Sequence, residues 1–191
     1  MPEVVKSRKM ASAPTGTSKV VLQKTLKSSI GCTGVGLHSG KKVTMSLNPA
    51  KPNTGIVFHR IDLPANDRIV PARWDCVVDT LMATTIGNNA GACISTVEHL
   101  MAALAGCGID NAIVEVDGAE VPVMDGSAAP FIFLVECAGM VEQNSPRKAI
   151  KIRRPIEVGN ADKFISAKPD EVFSVKFEID FKDTAVARQD L

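Results

Sequence analysis

Aromatic side chains and long apolar runs are scarce in this chain of 191 residues. Tyrosine is absent, tryptophan occurs once, and Phe, Trp and Tyr together make up 4% of the sequence. This scarcity disfavours a nucleic-acid-binding sheet, because such sheets stack bases on exposed aromatic rings. No apolar run approaches the roughly 20 residues of a membrane-spanning helix, so we expect a protein without a transmembrane segment.

The chain also lacks an excess of one charge. It contains 22 Lys and Arg residues against 21 Asp and Glu residues, for a formal net charge of +1. This balance provides no electrostatic footprint for nucleic acid or acidic membranes, and we expect no nucleic-acid partner. Hydrophobic residues make up 45% and charged residues 23%, which is the composition of a globular protein with a real core.

The cysteines lack the spacing of a disulfide framework or a structural zinc site. They are odd in number and contain no C-x-x-C motif. The five are Cys32, Cys76, Cys93, Cys107 and Cys137. We interpret them as reduced thiols, which predicts a cytoplasmic location.

The order of strand and helix patterns predicts an α+β fold, a two-layer sandwich of helices on a mostly antiparallel sheet. The clearest strand of the first part covers residues 42–49, where apolar and polar side chains alternate. Further strands are predicted at residues 20–30, 55–58, 84–86 and 111–116, and helices from about residue 95 to 105 and over 131–138. Residues 31–40 form a glycine-rich loop. We attribute its glycines to tight turning and close backbone approach, since no phosphate-binding motif fits.

We expect three parts along the chain. Residues 1–18 are small, polar and basic without an apolar signal core, which predicts a disordered leader with Met1 or Met10 as the start. Residues 19–145 form the first α+β domain, and residues 146–191 begin a second one with strands at 148–158, 164–168 and 171–181. In the last of these strands, five apolar side chains share one face: Phe173, Val175, Phe177, Ile179 and Phe181. That face needs a covering layer, so we expect the second domain to be truncated.

Glu98 and His99 are the most informative residues of the sequence. In a helix they lie about 110° and 150° from the centre of the apolar face, on a side that otherwise carries alanines. The apolar face comprises Val97, Leu100, Met101 and Leu104, and the alanines are Ala102, Ala103 and Ala105. An ionisable pair beside small residues suggests that a substrate, a metal or another domain packs there. Two simpler interpretations stay open: Ser95 and Glu98 have the spacing of a capping box, and His99 fits a hydrogen-bonded surface histidine.

Four segments closely resemble the UDP-3-O-acyl-N-acetylglucosamine deacetylase family, the zinc amidases of lipid A synthesis in Gram-negative bacteria. They are GVGLHSG at residues 34–40, ISTVEHL at 94–100, GIDN at 108–111 and VMDGSAAPF at 123–131. The resemblance extends from about residue 21 to residue 181. It implies two similar α+β domains, a UDP-3-O-acyl-N-acetylglucosamine substrate and a protein that is monomeric when complete.

The resemblance implies that Glu98 is the general base and His99 one ligand of a catalytic Zn²⁺. The family's other two zinc ligands lie in a later His-Lys-x-x-x-Asp motif and its general acid is a later histidine, none of which this sequence contains. The remaining histidines are His38 and His59, and we interpret the segment from His59 to Asp62 as a strand end. We therefore expect these 191 residues alone neither to hold zinc tightly nor to deacetylate. The alternative is an inactive truncated or split-gene product that acts at most as a binding module.

The resemblance also implies which residues border the substrate. His38 and its glycine-rich loop are expected near the active site. Leu37, Leu81 and Met82 are expected near the acyl chain, although packing in the core is an equal alternative for Leu81 and Met82.

Overall fold

The computed structural model describes residues 20–180 and 188–190. The chain divides between Arg147 and Lys148 into two compact units. The first unit contains the strands β1 (Leu22–Leu26), β2 (Ile30–Val35), β3 (Lys42–Pro49), β4 (Ile56–Arg60), β5 (Ile69–Pro71), β6 (Val77–Asp79), β7 (Thr85–Gly87), β8 (Cys93–Ile94), β9 (Ala112–Val116) and β10 (Met140–Pro146). Its helices are α1 (Glu98–Gly106) and α2 (Ala129–Ala138), with a short 3-10 helix at Trp74–Cys76. This combination confirms the α+β class.

The largest sheet has the strand order β2-β3-β9-β4-β5. Its pairings are antiparallel except for the parallel pair of β4 and β9. In β3, Val43, Met45 and Leu47 are buried while their neighbours in sequence are exposed or half-buried, as the alternation predicted. These side chains share one hydrophobic core with residues of both helices, including Leu100 of α1 and Phe131 of α2. Burial of this face accounts for the position of the helices. Two smaller sheets, β6-β7-β8 and β1-β10, complete the unit and are also antiparallel.

The apolar face of α1 agrees with the prediction but is one residue wider. Leu100 and Leu104 are buried, and Ala103 is buried with them. The placement of Ala103 outside the apolar face was therefore wrong, whereas Ala102 and Ala105 are exposed. A small side chain at the edge of the apolar stripe fits into a close-packed core without a void.

Two elements of the first unit were missed or misplaced. The single strand predicted at residues 20–30 is two strands, and β2 continues to Val35 through the first part of the expected loop. This extension is possible because β2 pairs with β3 along its whole length, from Ile30 opposite Leu47 to Val35 opposite Lys42.

Strand β10 occupies residues 140–146, at the end of the expected first domain, where no strand was predicted. The strand consists mainly of polar residues, so it has no apolar alternation that would predict it. Asn111 is 1% exposed and donates to Gln143 of β10 at 2.7 Å and to Gln23 of β1 at 2.8 Å. Buried amides that satisfy one another hold the β1–β10 pair in place, which apolar periodicity does not reveal.

The second unit contains β11 (Ile156–Gly159), β12 (Phe164–Ala167), β13 (Glu178–Asp180) and β14 (Arg188–Asp190). β11 pairs antiparallel with β12, and β13 with β14. The strand predicted at 148–158 forms only from Ile156, and the strand predicted at 171–181 only at Glu178–Asp180. Alternation shows which side chains would share a face but not whether a partner strand is present. Phe181 and the leader expected at residues 1–18 lie outside the described residues.

The two helices have nine and ten residues. Throughout the described part of the chain, none is both long enough and apolar enough to cross a bilayer.

Candidate active site

Helix α1 begins at Glu98, so Glu98 and His99 occupy its first turn, and both are half-buried. The capping box expected from Ser95 to Glu98 is not formed. Val97 is the N-cap residue, and no side chain caps the helix. The cause lies at Thr96, whose φ of 58° turns the backbone sharply before the helix. Ser95 therefore remains in an extended segment, where its N–H donates to Ala119 O at 2.8 Å.

The Glu98 carboxylate is oriented by a neighbouring loop. Its Oε2 accepts a hydrogen bond from the Thr84 N–H at 3.0 Å, and Thr84 O accepts from the Val97 N–H at 3.3 Å. The loop that ends at Thr84 carries Leu81 and Met82, which are 79% and 82% exposed. The alternative that these two residues pack in the core was therefore wrong. They stand in solvent on a loop that contacts the start of α1.

The segment with Leu37 and His38 is a tight turn between β2 and β3. The Gly36 N–H donates to Lys41 O at 2.9 Å, and the Gly40 N–H donates to Gly36 O at 3.0 Å with Gly40 at a φ of 63°. Leu37 is 59% exposed and His38 is also exposed. Both side chains are thus available to a ligand.

Close approach explains the other two glycines of this segment. A Cβ on Gly34 would lie 2.9 Å from Pro122 Cβ, and a Cβ on Gly36 would overlap the carboxylate of Glu120, with Glu120 Cδ at 2.8 Å. Real Cβ atoms do not approach other heavy atoms so closely. The interpretation of the glycines as sites of turning and close backbone approach is confirmed.

Glu120 was missed by the sequence analysis. It is 4% exposed and accepts hydrogen bonds from the backbone N–H groups of His38 and Ser39, each at 2.9 Å, and from Thr96 Oγ1 at 3.1 Å. Burial raises the pKa of this carboxyl, but the hydrogen bonds from His38, Ser39 and Thr96 outweigh burial and hold the pKa below its usual value. The only sequence signal was an acidic residue beside the apolar run Val121-Pro122-Val123, which also fits an ordinary turn.

These contacts bring the predicted segments together around the start of α1. Glu98 is tied to the loop of Leu81 and Met82 through Thr84. Thr96, two residues before Glu98, is tied to the His38 turn through Glu120. The two connections therefore join loops of different parts of the sequence to one helix end.

His59 lies apart from this arrangement. It occupies β4 one residue before the strand ends, opposite Glu115 of β9, which confirms that the segment is a strand end. Burial and the charge of Arg68 lower its pKa, while Glu115 acts in the opposite direction. Asp62 is engaged by Arg60 at 2.7 Å, and the hydrogen bond from Arg60 holds the pKa of that carboxyl below its usual value.

His99 follows Glu98 directly in the first turn of α1 and supplies an imidazole there. Within residues 20–180 and 188–190, no three His, Cys, Asp or Glu side chains form a group able to hold a metal ion. All five cysteines are free thiols, and burial raises the pKa of Cys32 and Cys107.

Sequence comparison relates this chain to deacetylases of acylated UDP-sugars. The family model of UDP-3-O-acyl N-acetylglycosamine deacetylase matches residues 23–191. The UDP-3-O-acyl-N-acetylglucosamine deacetylase of Pseudoalteromonas atlantica is 52% identical over 169 residues, which are 88% of this chain and 55% of the relative. That of Shewanella oneidensis is 51% identical over 170 residues, with the same shares. The chain belongs to the UDP-3-O-acyl N-acetylglycosamine deacetylase family, and it spans about half the length of the curated relatives it matches.

Proposed function

We propose that the protein that contains this chain hydrolyses the N-acetyl group of a UDP-3-O-acyl-N-acetylglucosamine in lipid A biosynthesis, with Glu98 as general base and His99 as one ligand of Zn²⁺. Family membership and the names of the relatives support the reaction. One structural observation carries the roles. An oriented carboxylate and an imidazole are adjacent in the first turn of α1, and neither is withdrawn into the core.

The half-buried imidazole of His99 is the type of donor that zinc accepts in catalytic sites. When bound, zinc supplies Lewis acidity, which lowers the pKa of a coordinated water to about 7 and polarises a carbonyl. The roles of base and ligand require the two side chains to serve the same small volume. Glu98 and His99 share the first turn of α1, which supports this assignment.

Glu98 has the geometry of a base whose two oxygens have different tasks. The Thr84 N–H holds Oε2 at 3.0 Å, which fixes the plane of the carboxylate. Within residues 20–180, no hydrogen bond engages Oε1, so this oxygen is the one that takes the proton of the attacking water. The oxygen of that water then bonds to the acetyl carbon. The glucosamine nitrogen takes a proton from a general acid, which the resemblance places outside these 191 residues, and the C–N bond breaks to release a free amine. Acetate is the second product.

We propose that Leu37, His38, Leu81 and Met82 contact the substrate. The three apolar side chains are exposed. Their removal from water by a ligand would be favourable, because burial of apolar surface stabilises a complex. Their loops are tied to the start of α1 through Thr84 and Glu120, as described above. The acyl chain is the part of the proposed substrate that matches an apolar surface.

We further propose the finer organisation that the sequence pattern predicts. Residues 19–145 are a two-layer sandwich, and residues 146–191 begin a second α+β domain of similar type. The core that α1 and α2 share with the main sheet supports the first statement, and the separate unit from Lys148 onward supports the second. We also propose that the complete protein is monomeric and cytoplasmic.

The test is acetate release from UDP-3-O-acyl-N-acetylglucosamine by the complete protein that contains this chain. We expect turnover that a chelator abolishes and that one equivalent of Zn²⁺ restores. His59→Ala is the matched histidine control and is expected to retain full turnover, because His59 lies on β4 outside the site. Turnover that persists without metal would contradict the zinc mechanism, and no acetate release by the metal-loaded protein would contradict the reaction.

A further inference from the structure

Glu120 stands out among the acidic residues of the first unit because it is buried without a cation. It is 4% exposed, and no salt bridge engages it in the described ranges. Burial of a carboxylate is costly unless hydrogen bonds replace its water shell. Here hydrogen bonds from His38, Ser39 and Thr96 replace that shell. A buried carboxylate with such hydrogen bonds fixes the positions of the groups that donate to it.

The donor residues belong to two segments that are distant in sequence. Oε1 accepts from the His38 N–H at 2.9 Å and from Thr96 Oγ1 at 3.1 Å, and Oε2 accepts from the Ser39 N–H at 2.9 Å. A single carboxylate therefore clamps the exposed turn of His38 to the residue two positions before Glu98. The β-branched Thr96 has a φ of 58°, an uncommon conformation that persists only where its surroundings hold it.

We propose that Glu120 is a positioning residue: it holds the Leu37–His38 turn in place beside the start of helix α1 so that the turn is preformed for the substrate. This inference rests on the proposed function, because that function supplies the substrate that the turn would contact. Glu120 itself is buried beneath the turn and acts through the backbone of His38 and Ser39. It is not a catalytic residue.

The chemistry of the clamp requires a carboxylate. Glu120→Gln retains the shape of the side chain but replaces one acceptor oxygen with an NH₂ group. That group would face a backbone N–H or the donating hydroxyl of Thr96, so at least one hydrogen bond must be lost. Gly36 provides an independent confirmation of the close fit, because a Cβ there would lie 2.8 Å from Glu120 Cδ.

Steady-state kinetics of the complete protein test the proposal. For Glu120→Gln we expect KM for UDP-3-O-acyl-N-acetylglucosamine to rise about tenfold, the effect of losing one hydrogen bond to a charged group, with kcat and zinc content unchanged. Glu142→Gln is the matched control on an exposed glutamate of β10 and is expected to leave KM unchanged. A fall in kcat at constant KM would mean that Glu120 supports only folding, and would overturn the proposal.

A mutant cycle with Leu37→Ala and His38→Ala together sharpens the result. If Glu120 acts through the turn, Glu120→Gln should change KM less than about twofold once both side chains have been removed, because the turn then has no side-chain contact left to position. Fully additive effects would overturn the proposal.

A second measurement separates this inference from the proposed function. Amide hydrogen exchange at His38 and Ser39 should accelerate by about tenfold or more in Glu120→Gln and not in Glu142→Gln. A protein without deacetylase activity would refute the proposed function and leave this measurement to decide whether Glu120 holds the turn. Unchanged exchange at both amides would refute the positioning role, whatever the activity.

Discussion

Gly36 combines a small substitution with a large expected effect. Gly36→Ala adds one methyl group at a buried position, and the added Cβ would overlap Glu120 Oε2 and Ser39 Oγ and lie 2.8 Å from Glu120 Cδ. To make room, the carboxylate must move away from the Ser39 N–H, from which it accepts a hydrogen bond at 2.9 Å. Losing a hydrogen bond to a charged group costs about 1.5–3 kcal/mol, and crowding adds to that cost.

The gain from alanine in the unfolded chain offsets part of this cost. Replacing glycine by alanine restricts the unfolded state and stabilises a protein by about 0.4–1 kcal/mol where the native conformation permits it. We therefore expect Gly36→Ala to lower the free energy of unfolding by about 2 kcal/mol. Gly106→Ala is the matched control, because Gly106 ends helix α1 and nothing lies within 4 Å of an added Cβ there.

Urea unfolding followed by circular dichroism measures both variants against the parent chain. The control is expected to be neutral or slightly stabilised, since alanine is the better helix former. If Gly36→Ala were as stable as Gly106→Ala, the turn and the Glu120 carboxylate would not be in the close contact on which the account of the glycine-rich segment depends.

Three further predictions follow from buried polar groups. Thr96→Val retains the shape of the side chain but removes a hydroxyl that donates to Glu120, and we expect a loss of about 1–2 kcal/mol in the free energy of unfolding. A stabilised variant would show that the hydroxyl is dispensable. Asn111→Leu removes the donors to Gln23 and Gln143 and the acceptor of the Gly55 N–H. We expect the free energy of unfolding in urea to fall by about 3 kcal/mol, and to be unchanged in the control Asn144→Ala at an exposed position. Equal stability of the two variants would contradict the network. Because the folded pKa of Glu120 is depressed, its contribution to stability is fully present above its usual pKa of 4.5 and is lost as the pH falls through the lower folded value. The stability difference between the parent chain and Glu120→Gln in urea titrations should accordingly shrink below pH 4.5, and a difference that grows on acidification would reverse the sign of the argument.

Local periodicity was sufficient for elements that bury one apolar face. The strand predicted at residues 42–49 has the observed bounds Lys42–Pro49, because every second side chain enters the core. The helix over residues 131–138 is extended by only two residues, to Ala129–Ala138. Such patterns depend on near neighbours in sequence, which is why the sequence alone reveals them.

Elements held by polar or distant contacts were not predictable in this way. The capping box does not form because Thr96 adopts a positive φ, and Thr96 is hydrogen-bonded to the buried Glu120, 24 residues away. Strand β10 was missed because its partners are amide side chains rather than apolar ones. Glu98 and His99 themselves were recognised through residues around them in sequence, whereas the clamp on the neighbouring turn depends on contacts across 82 positions.

The division of roles between Glu98 and His99 is the central claim, and one paired measurement tests it. Turnover and bound zinc are determined on the same preparations of the complete protein carrying Glu98→Gln or His99→Gln. We expect Glu98→Gln to lose about 10²–10⁴ of turnover with zinc content unchanged, and His99→Gln to lose both zinc and turnover. Loss of zinc from Glu98→Gln, or full zinc occupancy in His99→Gln, would contradict the assignment.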